Sequence, residues 1–204
     1  MMQRRTSSGW LSPGRLNRVR ALGACFLLAP FILSAVTLPA AAPPKPTEYD
    51  VKAAYLLNFG RFVRLTGPHS ARSSFDICIL GRDPMGQTID ALAANESINN
   101  LPVHIRRLLD VSEAKSCSIV FMSSFEGERL RENFAILGNT DVLTVSDAPD
   151  FLESGGMIQF ILVSNHVRFS INLDAVSRAH LELSSELLRV AASVSGKPPT
   201  GGRP

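Results

Sequence analysis

The alternation of apolar and polar positions along the chain predicts a regular succession of helices and strands. Apolar residues recur at helical spacing over 49–65, and this first helix is expected to end before Gly67-Pro68. Further along, short apolar runs bounded by turn residues predict strands, and amphipathic runs between them predict helices. The predicted strands are 75–80, 101–108, 117–122, 141–145, 157–164 and 167–171, and the later predicted helices are 84–94, a single turn at 110–115, 125–137 and a closing helix at 173–194.

The segments between these elements predict several turns. Residues 95–100 are expected to form a loop, and 147–153 a turn or short helix. Gly155-Gly156 predicts a turn that needs a positive φ before a strand, and Asn165-His166 predicts a tight hairpin turn. The buried side of the helix at 84–94 is expected to comprise Met85, Ile89 and Leu92.

This order of elements predicts an α/β fold. We expect a single three-layer domain at 49–194, with a mainly parallel sheet that has an antiparallel hairpin edge and is flanked by helices. The Pro/Gly-rich tail at 195–204 is expected to be disordered.

The N-terminal region predicts export from the cytoplasm. A stretch with three arginines at 15–20 precedes an uncharged apolar run at 21–38, and small residues follow at 39–42. This pattern is typical of a signal peptide, here 1–42 with cleavage near 40–42, before a Pro-rich tether at 43–48. A retained membrane anchor is the alternative, because an apolar run of roughly 18 residues can just span a bilayer. The expected destination is the periplasm.

The charge distribution argues against nucleic acid as a partner. The chain has a formal net charge of +3, but five of its 21 basic residues lie in the first twenty positions. From position 43 onward, 16 basic residues face 18 acidic ones. The predicted domain therefore has no excess of positive charge with which to attract phosphate backbones.

Two of the three cysteines, Cys78 and Cys117, remain after the predicted cleavage. An even number of cysteines in an exported domain favours a disulfide. Each lies in or at the start of an apolar run predicted as a strand, so adjacent strands would bring the two within bridging distance. The alternative is two buried free thiols that pack as small apolar side chains.

No arrangement of reactive residues indicates catalysis. The histidines at 69, 104, 166 and 180 are scattered and match no metal-ligand spacing. The loop at 81–86 follows a strand and precedes a helix, as a phosphate-binding loop would. It has only two glycines, contains a proline and lacks a Walker lysine, so we interpret it as a structural turn and not as a ligand-binding loop. We therefore expect no metal, no cofactor and no enzymatic activity. An active site assembled from distant residues is retained as the alternative.

Binding of another protein is the remaining class of function, and two candidate contact faces can be named. Tyr55, Phe59 and Phe62 are spaced i, i+4 and i+7 in the first predicted helix, which is more typical of a core than of an exposed stripe. If part of this series is exposed, it would form a partner-binding face. The closing helix provides the second candidate face, with Leu181 and Leu188.

Seven motifs in order resemble the YfiR family of periplasmic proteins, over roughly 49–192. They are KAAYLLNFGRFV at 52–63, the Cys78 strand that runs into GRDP at 81–84, CSIVF at 117–121, VLTVSD at 142–147, GGMI at 155–158, VRFSIN at 167–172 and LELSSELLRVA at 181–191. Two features depart from the family pattern. Leu65-Thr66 stands where a Trp-Pro pair is usual, and a second cysteine pair that some members carry near 146–155 is missing.

The resemblance implies a regulatory role. It implies a periplasmic repressor that binds the periplasmic sensor region of an inner-membrane diguanylate cyclase, lowers cyclic di-GMP and so regulates biofilm formation. It also implies a disulfide between Cys78 and Cys117. The resemblance also implies release of the target in response to envelope redox stress, but the missing second cysteine pair argues against redox sensing through a second disulfide. A homodimer is a further candidate assembly, and the alternative function is a periplasmic small-ligand sensor that feeds a histidine kinase or another membrane partner.

Overall fold

The computed structural model describes residues 45–66 and 72–197. The predicted signal peptide with its alternative anchor, the first residues of the tether, Gly67-Pro68, His69 and residues 198–204 of the tail lie outside the described residues. The helices are α1 Glu48–Phe62, α2 Gln87–Ala93, α3 Leu130–Leu137, α4 Leu173–Arg178 and α5 Ser185–Val190, with 3₁₀ helices at Val111–Ser116 and Ser124–Arg129. The strands are β1 Val63–Leu65, β2 Phe75–Leu80, β3 Ser97–Ile98, β4 Leu101–Leu108, β5 Ile119–Met122, β6 Leu143–Ser146, β7 Ile158–Val163, β8 His166–Asn172, β9 Leu181–Leu183 and β10 Ser193–Ser195.

Eight of these strands form one sheet in the order β10-β8-β7-β6-β5-β2-β4-β3. Five of its seven pairs are parallel, and the antiparallel pairs are β7 with β8 and β3 with β4. The predicted α/β class with a mainly parallel sheet and an antiparallel hairpin is therefore confirmed. Strand β10 lies outside the β7–β8 hairpin at the sheet edge, a position that no sequence pattern predicted.

Two apolar cores, one on each face of the sheet, give the domain its three layers. Side chains alternate along β2, so Ile77 and Ile79 join the core under α1, α2, α4 and α5. Cys78 and Leu80 join the opposite core, which α3 and the first 3₁₀ helix cover. Each fully buried side chain of this size contributes about 1.5–3 kcal/mol, so both faces need their helical cover.

The predicted closing helix at 173–194 is wrong, and so is the end of the first helix. Residues 173–194 form α4, β9, α5 and the start of β10. His180 has a positive φ of 54°, which interrupts the helix, and the Ser184 hydroxyl accepts a hydrogen bond from the Leu187 amide to start α5. Strand β9 pairs antiparallel with β1, whose residues were predicted as the last turn of the first helix.

Smaller corrections concern turns and one buried face. The hairpin turn lies at Ser164-Asn165, one position earlier than predicted, because Val163 pairs with His166 and both turn residues have positive φ. Met85 and Ile89 are buried as expected, whereas Leu92 is exposed. The predicted loop at 95–100 contains β3, which pairs with the start of β4.

Candidate functional site

Cys78 and Cys117 are joined by a disulfide. Strands β2 and β5 are neighbours, and the Cα atoms of the two cysteines are 6.1 Å apart. Both residues are fully buried in the core under α3. The bond implied by the resemblance is therefore present, the alternative of two free thiols is wrong, and the bond is shielded from solvent.

The predicted partner-binding residues are mostly core residues. Phe59 is 1% exposed, and its ring centroid lies 5.0 Å from that of Phe169 and 5.8 Å from that of Tyr55. Leu181 is buried too, and Tyr55 and Leu188 pack partly buried against the same core. Buried Phe59 and Leu181 cannot contact a partner in this conformation.

Phe62 is the most accessible of the five predicted residues, with 38% of its surface exposed. It ends α1 and lies beside a shallow cavity lined also by Arg61, Arg64 and Glu182. A partner contact at Phe62 stays a prediction.

A buried ion cluster that the sequence patterns did not predict lies at the carboxyl end of the parallel strands. Lys52 lies in α1, and its Nζ atom is 2.7 Å from Oδ2 of Asp147, the residue after β6, and 2.5 Å from Oε1 of Glu48. The other oxygen of Asp147 accepts a hydrogen bond of 3.0 Å from the Ser124 amide. The Nζ atom also lies 4.4 Å from the centre of the Tyr49 ring. The only sequence signal was an aspartate directly after a buried strand.

The cluster keeps Lys52 protonated at neutral pH. Burial alone would lower the pKa of Lys52, but hydrogen bonds to Asp147 and Glu48 outweigh it, so the pKa is raised above its ordinary value. The pKa of Tyr49 is raised as well, first by burial and then by the negative charge of Asp147. A lysine held in this way is not a proton acceptor at neutral pH, so its role is to fix α1 to the end of β6.

The loop at 81–86 is occupied by the chain's own carboxylates. Oδ1 of Asp83 accepts hydrogen bonds from the amides of Met85 and Gly86, at 2.8 and 3.1 Å. Oε1 of Glu126 stands where a Cβ on Gly81 would approach within 2.6 Å. A phosphate would meet these negative charges instead of free N–H groups. The interpretation of this loop as a structural turn therefore fits the geometry.

Four large apolar side chains are exposed along this same end of the sheet. Because β2, β4, β5, β6 and β7 are parallel, the residues at or after their carboxyl ends share one edge. We call this row the carboxyl-edge surface; its members and exposed fractions are Leu109 95%, Phe125 62%, Leu162 55% and Val163 47%. Leu162, Ser124 and the Lys52–Asp147 pair line one open cavity of about 310 Å³, so the buried ion cluster lies next to Leu162 of this surface.

A second cavity, of about 180 Å³, lies at the opposite end of β6. Phe134, Leu137 and Met157 provide apolar walls, and among the described residues Arg178 is the one ionisable side chain that lines it. The Thr140 hydroxyl beside it is buried and has no hydrogen-bond partner in the described parts of the chain.

No His, Cys, Asp and Glu group suited to a metal ion occurs within 45–66 and 72–197. Over the same residues, no helix has the length and apolar content needed to cross a bilayer.

Comparison with known proteins identifies relatives of this fold. The family model described as YfiR/HmsC-like matches residues 49–192. A solved structure of a conserved domain protein from Vibrio cholerae O1 biovar El Tor is similar, with a TM-score of 0.51 at 9% identity. That match covers 73% of this chain and 60% of the other, so the chain spans less than two thirds of the Vibrio protein's length. No curated protein matches the sequence significantly.

Proposed function

The chain belongs to the YfiR/HmsC-like family, and on that premise we propose that it binds and represses the periplasmic sensor region of an inner-membrane diguanylate cyclase. The match of the family model to 49–192, nearly the whole predicted domain, is the observation that carries the proposal. At the level of the family, the role is periplasmic regulation of cyclic di-GMP signalling, and it is regulatory rather than catalytic. The named target and the repression are the proposed part.

Repression by binding requires that the domain prefer one state of its target. A regulator that binds the inactive arrangement of the cyclase more tightly shifts the population toward that arrangement. Such binding needs accessible surface on a rigid body. The carboxyl-edge surface and Phe62 are exposed, and the Lys52–Asp147 pair fixes α1 to the sheet beneath that edge.

Gene deletion and epistasis test the proposal. Deletion should raise cellular cyclic di-GMP and biofilm, and a copy of the gene should reverse both. The rise should disappear when the gene of one inner-membrane diguanylate cyclase is deleted as well, which identifies the target. An unchanged cyclic di-GMP level in the deletion strain overturns the proposal.

Export is part of the proposal. We infer cleavage near 40–42 and release of the mature domain into the periplasm. Fractionation followed by mass spectrometry of the intact protein checks both, because a retained anchor leaves the full-length mass in the membrane fraction. Recovery of the product in the cytoplasm contradicts the proposed location.

A periplasmic small-ligand sensor is the second candidate, and the 180 Å³ cavity favours it. An apolar cavity of about 150 Å³ holds benzene, so this one has room for a small ring, and Arg178 would favour an anionic group on it. Thermal denaturation with and without phenylacetate, for the wild type and Arg178→Gln, tests for such a site. A neighbouring gene for a histidine kinase, in place of a cyclase, would favour the sensor.

A further inference from the structure

The carboxyl-edge surface combines exposed apolar side chains with a strong excess of negative charge. The relevant segments are the five residues after β2, β4, β5 and β6, together with the first turn of α1: 81–85, 109–113, 123–127, 147–151 and 48–52. They contain eight acidic and two basic residues, a formal charge of −6. The rest of the described chain contains thirteen basic and ten acidic residues, or +3. The domain is therefore polarised, and its acidic end is where Leu109, Phe125, Leu162 and Val163 are exposed.

The two basic residues within these segments are already engaged. Lys52 is buried between Glu48 and Asp147. The guanidinium carbon of Arg82 lies 5.0 Å from the centre of the Phe125 ring, so Arg82 covers one side of that ring.

Three cations from neighbouring elements also reach this edge. Arg107 of β4 lies 2.9 Å from Asp83, Arg129 lies 3.9 Å from Glu126, and Arg168 of β8 pairs with Ile161 near the end of β7. With these three included, eight acidic and five basic residues give the edge a formal charge of −3, so negative charge remains in excess.

We propose that the carboxyl-edge surface docks a basic amphipathic helix from the periplasmic region of the target cyclase. This inference rests on the proposed function and adds the surface and the chemistry of the segment it binds. The apolar face of such a helix would cover Phe125 and Leu162, and its Lys and Arg side chains would face the surrounding carboxylates. Large apolar side chains at the centre of a contact supply most of its affinity, and charge complementarity at the rim sets orientation and association rate.

Charge also decides against other occupants. A second copy that presented the same edge would bring two surfaces with an excess of negative charge together, which disfavours a symmetric contact. An anionic bilayer surface is repelled for the same reason. The chain's own residues 1–44 include arginines and an apolar run, but their predicted removal on export leaves this surface uncovered.

In-cell photocrosslinking to the cyclase identified by epistasis tests the surface. A photoreactive phenylalanine analogue is incorporated at position 125 or 162, and at 136 as the control. Ile136 is 38% exposed on α3 and adjoins Leu137, which lines the cavity at the opposite end of β6. We expect crosslinks to the cyclase from 125 and 162 and none from 136. Crosslinks from 125 and 162 to a second copy, to residues 1–44 or to lipid overturn the proposal, as does a crosslink to the cyclase from 136 alone.

Polar substitutions supply the functional arm of the test. Phe125→Ser and Leu162→Ser should relieve repression and weaken binding of the purified periplasmic region of the cyclase about tenfold or more, while Ile136→Ser keeps both at wild-type levels. Binding by the wild type should weaken as NaCl is raised, and Glu113→Gln with Asp150→Asn should reduce that salt dependence. Glu96→Gln should leave it unchanged, because Glu96 lies beside the start of β4, at the opposite end of the sheet.

The two proposals fail in different ways. Full repression by Phe125→Ser and Leu162→Ser, in a strain where deletion of the gene raises cyclic di-GMP, overturns the docking surface and leaves the proposed function intact. No rise on deletion overturns the proposed function, and the docking surface with it.

Discussion

Nζ of Lys52 lies 2.7 Å from Oδ2 of Asp147, a residue 95 positions further along the chain. The pair joins α1 to the carboxyl end of β6, and the side chains are 4% and 7% exposed. The more exposed carboxylate of Glu48 forms an ion pair with the same ammonium group of Lys52. The pair therefore fixes the position of the first helix beneath the carboxyl-edge surface.

We expect removal of either partner of this pair to destabilise the domain. Lys52→Met leaves Asp147 buried without its cation, which typically costs about 3 kcal/mol or somewhat more. Lys115→Met, at an exposed position, should change the free energy of unfolding by less than about 0.5 kcal/mol. Urea unfolding at pH 7 measures both.

The coupling between the two residues distinguishes an ion pair from simple packing. Asp147→Asn should cost less when Lys52 is already methionine than in the wild type, because the carboxylate is then unpaired before it is removed. Equal costs in the two backgrounds would show that the pair contributes no coupling.

The raised pKa values of Lys52 and Tyr49 predict a loss of stability at alkaline pH. A group whose pKa is higher in the folded state contributes stability that is complete below its unfolded pKa, which is about 10 for both residue types, and that is lost as the pH rises through the folded value. Urea midpoints measured from pH 8 to 11.5 should therefore fall above about pH 10.

Variants assign this alkaline loss to the cluster. Lys52→Met and Tyr49→Phe should each show a smaller fall in the urea midpoint between pH 10 and 11.5 than the wild type, and Lys115→Met should fall as the wild type does. Parallel curves for all four proteins would place the alkaline transition elsewhere in the domain.

Burial of the Cys78–Cys117 bond predicts a structural disulfide that does not switch under native conditions. Both residues are fully buried, so a reductant reaches the bond only when the domain opens. Thiol titration of the mature domain after incubation with dithiothreitol should detect few thiols without denaturant and two per chain in 6 M urea. Rapid native reduction would make this bond a candidate redox sensor.

Loss of the bond should lower stability. It closes a loop with a sequence separation of 39, and Cys78→Ala with Cys117→Ala is expected to cost about 3–4 kcal/mol in the chain-entropy model. The free energy of unfolding of the double variant, compared with the oxidised wild type, checks the magnitude. A cost near zero would show that packing alone holds β2 against β5.

Local patterns predicted β2 and β4 with their observed bounds, because each run is apolar or alternating and is bounded by turn residues. The same reasoning failed at 173–194, where leucines at helical spacing belong to α4, β9 and α5. Residues 181–183 form strand β9 because they pair with β1, whose residues lie more than a hundred positions earlier in the chain. A local sequence pattern does not show such a distant pairing.

The carboxyl-edge surface was not predictable from the sequence for a related reason. Phe125 and Leu162 have the local pattern of buried positions in a helix and a strand. Their exposure follows from where β5 and β7 end relative to their neighbours, which only the assembled sheet determines. The predicted stripe of Tyr55 and Phe59 instead packs against Phe160 and Phe169 of β7 and β8.

Gly156 provides a prediction about the turn between β6 and β7. A Cβ at this position would lie 2.1 Å from the Phe151 ring, so Gly156 is required by space and not by its φ, which is outside the left-handed region. The positive φ that the sequence pattern predicted belongs to Gly155, at 108°. The amide of Gly156 donates to the carbonyl of Phe151 over 2.9 Å, so backbone and ring are held close together. Gly156→Ala must displace a fully buried aromatic ring and should cost about 1–3 kcal/mol.

Gly127→Ala is the matched control for this variant. The nearest atom to its added Cβ would be Cβ of Ala148 at 3.9 Å, an ordinary contact, and alanine is the better helix former, so its stability should equal or exceed that of the wild type. Thermal and urea unfolding of the two variants compare them directly. Equal stability of Gly156→Ala and Gly127→Ala would mean that the Phe151 ring moves aside at little cost. The core under α3 would then be less tightly packed than the structure indicates.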